Sequence, residues 1–381
     1  MLKSVKIENF RGFKSFELQQ LGRINLLVGD NNSGKTSILE AIQLLCSGTN
    51  LEPLGEIMIN RGEYLWSDDG KGERQLDIRH LFYGHEIEPG SKLSISVIND
   101  NTQEKFDILI AMLRANNTSY GYDETNISEK QVSSNDEFFD DLKKLGFIVT
   151  WIRDEQPSEK LPLYISPDGG LPIDSIMMFR HRKSLSASRT PKTQFIKSSS
   201  LKTEEMIELF DQLVLTPKEK IVEEALQRID SKIQRIAPVS SQKLRYSLDS
   251  RGGFLVLLSD GKRVPIGSMG DGIWRILGLT LSTVCAKDGY LFVDEIDTGL
   301  HFTAMSDMWK MIWDTAKKLN VQVFATTHNS DCWKSLADIA EQEDATDDGI
   351  RIHRIEKGKE KSIVFTEKQI AIAAERELEV R

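Results

Sequence analysis

The run Ile24-Asn25-Leu26-Leu27-Val28-Gly29-Asp30-Asn31-Asn32-Ser33-Gly34-Lys35-Thr36 decides the fold. Its first five residues are a short apolar run between polar neighbours, which suits a strand buried on both faces. The next eight fit G-x-x-x-x-G-K-[ST]. Glycines there let backbone N–H groups curl around phosphates, and the following helix points its positive end at them. From Lys35 to Cys46, Ile38, Ile42 and Leu45 recur at helical spacing. Strand, glycine loop and helix in that order predict a phosphate-binding P-loop. Lys35 is expected to reach the β- and γ-phosphates of ATP, and Thr36 to hold Mg²⁺ through its hydroxyl. Gly29, Asn31, Asn32, Ser33, Gly34 and Ser37 complete the expected cradle.

Three stations further along supply the rest of a hydrolytic site. Leu291-Phe292-Val293-Asp294-Glu295 is an apolar strand ending in two acids. Such a strand delivers Asp294 to the carboxyl edge of a sheet as a second Mg²⁺-positioning group, and Glu295 as a general base for an attacking water. His328 follows another apolar strand, where a neutral imidazole donates to a γ-phosphate. Ser268-Met269-Gly270-Asp271-Gly272 stands ahead of a helix and reads either as a second anion site or as a plain loop with an N-cap. One nucleotide does not need two cradles in one chain, so a second cradle makes sense if two chains pair head to tail.

These stations resemble the ABC-type ATPase heads of the SMC/RecF/OLD superfamily. The resemblance also rests on Glu8-Asn9-Phe10-Arg11-Gly12-Phe13, on Asp294-Glu295-x-Asp297-x-Gly299-Leu300-His301 and on Thr326-Thr327-His328. It covers roughly residues 1–50 and 240–335. It implies Walker A at Gly29–Thr36, a signature loop at Ser268–Gly272, Walker B at Asp294 with a catalytic Glu295, a D-loop at Asp297–His301 and a switch histidine at His328. Arg11 then matches an arginine near the nucleotide, and Gln75 is the candidate for the Q-loop glutamine. It further implies a homodimer with two ATP molecules between Walker A of one chain and the signature of the other. Closer still are the stand-alone OLD-like ATPases of bacterial antiphage systems, which act with a separately encoded effector of nuclease or toxin type. A RecF-like DNA-binding role in repair and an ATP-bound scaffold with little turnover stay open.

The expected fold is therefore α/β: a P-loop, ABC-type ATPase head with a mainly parallel sheet, an antiparallel β lobe and a short helical arm. Residues 1–55 and 241–381 read as the split core, 56–175 as the β-rich lobe, and 176–240 as a basic loop plus helices. In the lobe, strand-like runs lie at 93–98, 105–112 and 146–152, with a hairpin turn at Asn99–Thr102 and a polar insertion at 114–136. Residues 200–236 read as helical, with Ser200 or Thr203 as N-cap and Pro217 at a first helical position. Ile221, Ala225, Leu226, Ile229, Ile233 and Ile236 mark one face. A hairpin is expected at 243–249 and 253–259. Helices at 272–286, 303–319 and 330–341 alternate with strands at 290–294 and 321–326, and further strands lie near 351–355 and 362–366.

Composition bounds the rest. The 381 residues are 39% hydrophobic and 28% charged, ordinary for a folded protein. No apolar run reaches the roughly 18 residues of a membrane helix, and the first residues lack a signal-peptide core, so a cytoplasmic protein is expected. Cys46, Cys285 and Cys332 are too few and too scattered for a disulfide framework or zinc site. The net charge of −9 argues against a generally nucleic-acid-binding surface. Locally, however, Arg180, Arg182, Lys183, Arg189, Lys192, Lys197 and Lys202 fall in one acid-free stretch. That stretch suits phosphate contact with nucleic acid, docking of an acidic partner, or a solvated loop. A transporter subunit is disfavoured by the long separation of Gly34 from Ser268, and a GTPase by the lack of an Asn-Lys-x-Asp sequence.

Overall fold

The computed structural model describes residues 1–48, 50–65, 74–98, 103–114, 143–153, 156–157, 160–176, 191–199, 201–239, 253–342 and 348–380. Strands β1 (Val5–Phe10), β2 (Phe13–Leu18) and β3 (Ile24–Val28) precede helices α1 (Lys35–Ser47) and α2 (Glu52–Arg61). Then come β4 (Tyr64–Leu65), β5 (Gln75–Asp77), β6 (Lys92–Ile98), β7 (Gln103–Arg114), β8 (Lys143–Arg153), β9 (Gln156–Pro157), β10 (Leu161–Tyr164) and β11 (Gly170–Pro172). The middle holds β12 (Thr193–Ile196), α3 (Thr203–Asp211), α4 (Glu219–Ile229), β13 (Ile233–Pro238), β14 (Phe254–Leu258), β15 (Arg263–Pro265) and α5 (Asp271–Cys285). The chain continues through β16 (Tyr290–Val293), α6 (Met305–Leu319), β17 (Gln322–Thr326), α7 (Ser330–Gln342), β18 (Ile350–Arg354), β19 (Ile363–Phe365) and α8 (Glu367–Glu375).

The central sheet runs β12-β16-β17-β3-β18-β19, parallel except for the antiparallel edge strand β19. Its inner strands β16, β17 and β3 are largely apolar on both faces because both faces are covered. Leu291, Val293, Val323, Ala325, Ile24, Leu26 and Val28 point into one core, shared with α3 to α7. Phe292, Phe324 and Leu27 point into the other, shared with α1 and the antiparallel sheet β10-β8-β7-β6-β1-β2. Phe292 and Phe324 stack with centroids 5.6 Å apart. Burying each ring contributes about 1.5–3 kcal/mol. Asn25 is the polar exception in β3. Its side chain accepts from the Gly22 amide at 2.9 Å and donates to the Gly22 and Val323 carbonyls, which offsets its burial. The three cysteines are buried and unpaired with one another.

The α/β head with a parallel sheet and an antiparallel lobe is thus what the sequence suggested, with local differences. Ile233 and Ile236 lie on strand β13, not on a helix. A register shift between Ile233 and Arg235 lets residues three apart face one side, which imitates helical spacing. Strand β14 pairs with β13 and β15, while the expected partner at 243–249 lies outside the described residues. Helix α3 has Lys202 as N-cap and α4 has Lys218, with Pro217 in the turn ahead. Both helices fold back onto the core through Met206, Phe210, Val222 and Leu226. The Asn99–Thr102 turn and nearly all of 114–136 lie outside the described residues. The short strand β12 was not foreseen at all.

Candidate functional site

The loop after β3 is shaped by two glycines. Gly29 has φ 141°, and a Cβ there would run into the Ile355 carbonyl oxygen. Gly34 has φ 95°, and its missing Cβ makes room for the Phe13 ring. Phe13 opens β2, so the Phe10–Phe13 turn packs directly on the loop. Helix α1 starts with no side-chain cap and no acid in its first turn, leaving its N–H groups aimed at an incoming anion. Lys35 is buried, and its Nζ donates to the carbonyls of Gly29 at 2.8 Å and Asp30 at 2.7 Å. Burial lowers its pKa, opposed by the charges of Asp294, Asp30 and Glu295. Ser33 Oγ is buried with no hydrogen-bond partner among the described residues. Asn31 and Asn32 are exposed at the loop's tip, Asn32 at φ 63°.

The acids arrive from β16. Thr36 Oγ1 donates to Asp294 at 3.1 Å, and Thr326 Oγ1 donates to the same carboxylate at 2.7 Å. The Glu295 amide donates to Thr326 Oγ1 at 2.8 Å, so the end of β17 fixes the end of β16. Glu295 has φ 48°, a conformation that turns its side chain out of the strand line. His328 Nε2 lies 3.9 Å from Glu295 Oε1. Asp297 accepts from Thr327 Oγ1 at 2.6 Å. A cleft of about 440 Å³ opens here, lined by Gly29, Asp30, Asn31, His328 and Glu379. Thr36 and Asp294 present hard oxygen ligands side by side, a donor set that fits Mg²⁺ completed by phosphate and water.

Arg11 and Gln75 do not line this cleft. The Arg11 guanidinium is held by Glu63 and, at 3.0 Å, by Glu40 of α1, and only 8% of the residue is exposed. Glu40 also accepts from Arg61 at 2.7 Å, and Arg61 in turn lies 3.4 Å from Ser37 Oγ. Gln75 lies on β5, its side chain over Gly170. Ser268, Gly270 and Asp271 are exposed at the start of α5, where a Cβ on Gly270 would meet nothing within 4 Å. A Cβ on Gly272 would approach Leu300 of the Asp297–His301 loop at 3.7 Å. In the basic stretch, Arg180, Arg182, Lys183 and Arg189 lie outside the described residues. Lys197 donates to Asn60 Oδ1 at 2.8 Å, and Lys202 opens α3.

Sequence reading missed Arg275. It is 2% exposed and spans three carbonyls: Lys197 at 3.1 Å, Glu295 at 2.9 Å and Asp294 at 3.4 Å. Burial pushes its pKa down to about 10. An arginine amid Ile273, Trp274, Ile276 and Leu277 was the available signal, since a buried charge needs partners. Strand β12 joins the same clamp. The Asp294 amide donates to the Ile196 carbonyl at 2.8 Å.

Comparison with known proteins places the chain in a family. A family model described as an AAA ATPase domain matches residues 1–332. An "ATP/GTP phosphatase" of Helicobacter pylori is 23% identical over 357 residues, 90% of each chain. A "DNA replication and repair protein RecF" of Clostridioides difficile is 49% identical over 47 residues, 12% of this chain and 13% of that protein. The "SMC head domain from Thermotoga maritima" aligns at TM-score 0.45 and 10% identity over 96% of this chain and 98% of that one. Among the described residues, no helix is long and apolar enough to cross a membrane. The chain belongs to the AAA ATPase domain family and is an ATPase.

Proposed function

We propose that this AAA-family ATPase is a nucleotide-driven switch that acts on DNA. Two copies close over two ATP molecules, each copy's Ser268–Gly272 loop completing the other's Gly29–Thr36 site. Hydrolysis reopens them. The observation that carries this reading is the split itself. Lys35 bonds to Gly29 and Asp30, Thr36 to Asp294, and His328 stands by Glu295, all around the strand ends beside one cleft, while the Ser268–Gly272 loop is exposed and carries an open glycine, as does the neighbouring loop at Gly299. Surface glycines with nothing packed on them leave room for a second chain's phosphates and backbone.

Within the site, Lys35 and the α1 N-terminus bind the phosphates, and Thr36 with Asp294 would hold Mg²⁺. The metal, when bound, neutralises charge on the transferring phosphate. Glu295 accepts the proton of the attacking water, and His328 holds the opposite side of that water or the terminal phosphate. Arg275 keeps the backbone of Asp294 and Glu295 in place. Arg11, caged by Glu40 and Glu63, takes its nucleotide-side role only by leaving that cage.

The short but close match to RecF proteins supports DNA as the coupled ligand, with Arg180–Lys202 as the candidate contact. The antiphage effector reading has no comparable support and stands second. The test is Glu295→Gln with magnesium and ATP. Light scattering should show a dimer that wild-type protein forms only transiently, with hydrolysis nearly abolished. Wild-type turnover would remove Glu295 from the chemistry, and a strictly monomeric mutant would remove the composite site. Duplex DNA binding by that dimer should weaken steeply with salt. Running GTP beside ATP follows from the name of the Helicobacter pylori relative.

A further inference from the structure

Between β5 and β6 the chain makes a tight turn, His80-Leu81-Phe82-Tyr83-Gly84-His85, that none of the nucleotide motifs uses. Leu81 and Phe82 are buried and anchor it, while Tyr83, Gly84 and His85 are exposed. The anchor is also bonded. The Arg11 amide donates to the Leu81 carbonyl at 2.9 Å, and Phe82 bridges to Phe10. Gly84 at φ 82° and His85 at φ 60° then curl the chain back, with the His85 amide donating to the Phe82 carbonyl at 3.2 Å. Left-handed backbone is routine for glycine and disfavoured for histidine, so the turn and not the residue's own preference returns His85 to His80.

The curl sets His85 Nδ1 3.3 Å from His80 Nδ1, with ring centroids 5.2 Å apart and planes inclined at 68°. On its other side, His80 Nε2 faces the Asp77 carboxylate at 3.5 Å. A proton on Nε2 suits that carboxylate and leaves the Nδ1 lone pair of His80 toward His85. Asp77 itself is committed, since each of its oxygens accepts from the Arg79 guanidinium at 2.8 Å. It stands behind the pair as carboxylates stand behind metal-bound imidazoles. As a hydrogen bond the 3.3 Å separation is long, beyond the usual range of about 2.7–3.2 Å for an N–H donor. Two nitrogens on one tetrahedral zinc, each at about 2.0–2.1 Å, stand about 3.3–3.4 Å apart.

We propose that His80 and His85 form a binding site for one divalent cation of the zinc class, each ligating through Nδ1. Neutral imidazole suits zinc, copper and nickel, whereas the oxygens of Thr36 and Asp294 suit the harder Mg²⁺. Among the described residues no group of three His, Cys, Asp or Glu side chains is placed to share an ion, so water completes the coordination. The ion ties together the two ends of the turn against which Phe10 and the Arg11 amide rest, and so stiffens the support of that segment. The site does not depend on how Gly29–Thr36 or Glu295 is read.

The test titrates zinc into the full chain by calorimetry, with magnesium in excess to occupy the oxygen site. Wild type should take up one zinc. His80→Gln and His85→Gln should each weaken that binding by at least the roughly tenfold that loss of an outer-shell partner costs a metal site. Zinc should raise the melting temperature of wild type and leave that of the double variant unmoved, since only a protein that binds the ion gains from it. Magnesium-dependent ATP hydrolysis without zinc should be the same in wild type and all three variants, which shows that they fold. His328→Gln, titrated alongside, reads any zinc held at the Glu295 end. A wild type that binds no zinc, a double variant that binds it as well as wild type, or binding that only His328→Gln removes, each overturns the proposal.

Discussion

Thr36 Oγ1 lies 3.1 Å from Asp294 Oδ1 and 3.3 Å from Oδ2, although 258 residues separate the two. The hydroxyl ends the P-loop and the carboxylate ends β16, two strands away in the sheet. Only the parallel order β16-β17-β3 brings both strand ends to one edge. The contact is thus a product of topology, and it leaves two oxygens ready for one cation.

Replacing Asp294 with Asn keeps the shape and removes the charge. Turnover with magnesium–ATP should fall roughly 10²–10³-fold, the scale for losing one electrostatic stabiliser. Nucleotide binding in EDTA should not change, because the metal then plays no part. Phosphate-release assays and calorimetry on the same preparation check both halves.

Arg275→Lys retains a cation but cannot span the carbonyls of Lys197, Asp294 and Glu295. The backbone carrying the two acids should loosen, lowering kcat about tenfold with KM nearly constant, since the side chain at this position touches no substrate. Stability should drop by about 1–3 kcal/mol from buried carbonyls left unpaired. Urea titration with steady-state kinetics reads both. A variant with normal kcat would reduce Arg275 to packing.

Gly34→Ala faces two separate costs. Its φ of 95° disfavours any L side chain, and the Phe13 ring occupies the space a Cβ would need. A loss of about 1–3 kcal/mol is expected from the backbone alone, with steric cost added. Combining it with Phe13→Ala should recover only the steric part. The double-mutant cycle then gives a non-zero coupling, and additive losses would show that the ring does not press on the loop.

Acid sensitivity should trace in part to His353. It is completely buried, and burial, helped by the charge of Arg351, lowers its pKa from 6.5 to about 3. Between those values the unfolded chain takes up a proton that the folded chain refuses. Stability should therefore fall as pH drops below about 6.5, by up to roughly 1.4 kcal/mol per unit for this one group. Unfolding at neutral pH and near pH 5 should show a smaller difference in His353→Gln than in wild type.

The sequence announced the nucleotide edge because each part is local. Ile24–Thr36 writes strand, loop and helix in one run, and Leu291–Glu295 and Thr326–His328 each place a polar group at the end of an apolar strand. Strand β12 was silent, since four residues, Thr193–Ile196, carry too little period to read. Arg275 left its apolar neighbours as the one clue, because its partners are backbone carbonyls brought from the ends of β12 and β16, which no helical pattern encodes. Ile233 and Ile236 misled through a bulge. The Arg11 cage was invisible for another reason: Glu40 and Glu63 reach it from α1 and from the start of β4, and no spacing in one segment encodes a meeting of three.

Strand β12 is gripped at both ends. Before it, the Tyr290 amide donates to the Lys192 carbonyl at 2.8 Å; after it, Arg275 holds the Lys197 carbonyl at 3.1 Å. Between these grips the Ile196 carbonyl takes the amide of Asp294 itself. Strand β12 is thus coupled through the backbone to the residue that carries the Asp294 carboxylate. Any displacement of β12 along β16 would therefore strain the same hydrogen bonds that set the end of β16.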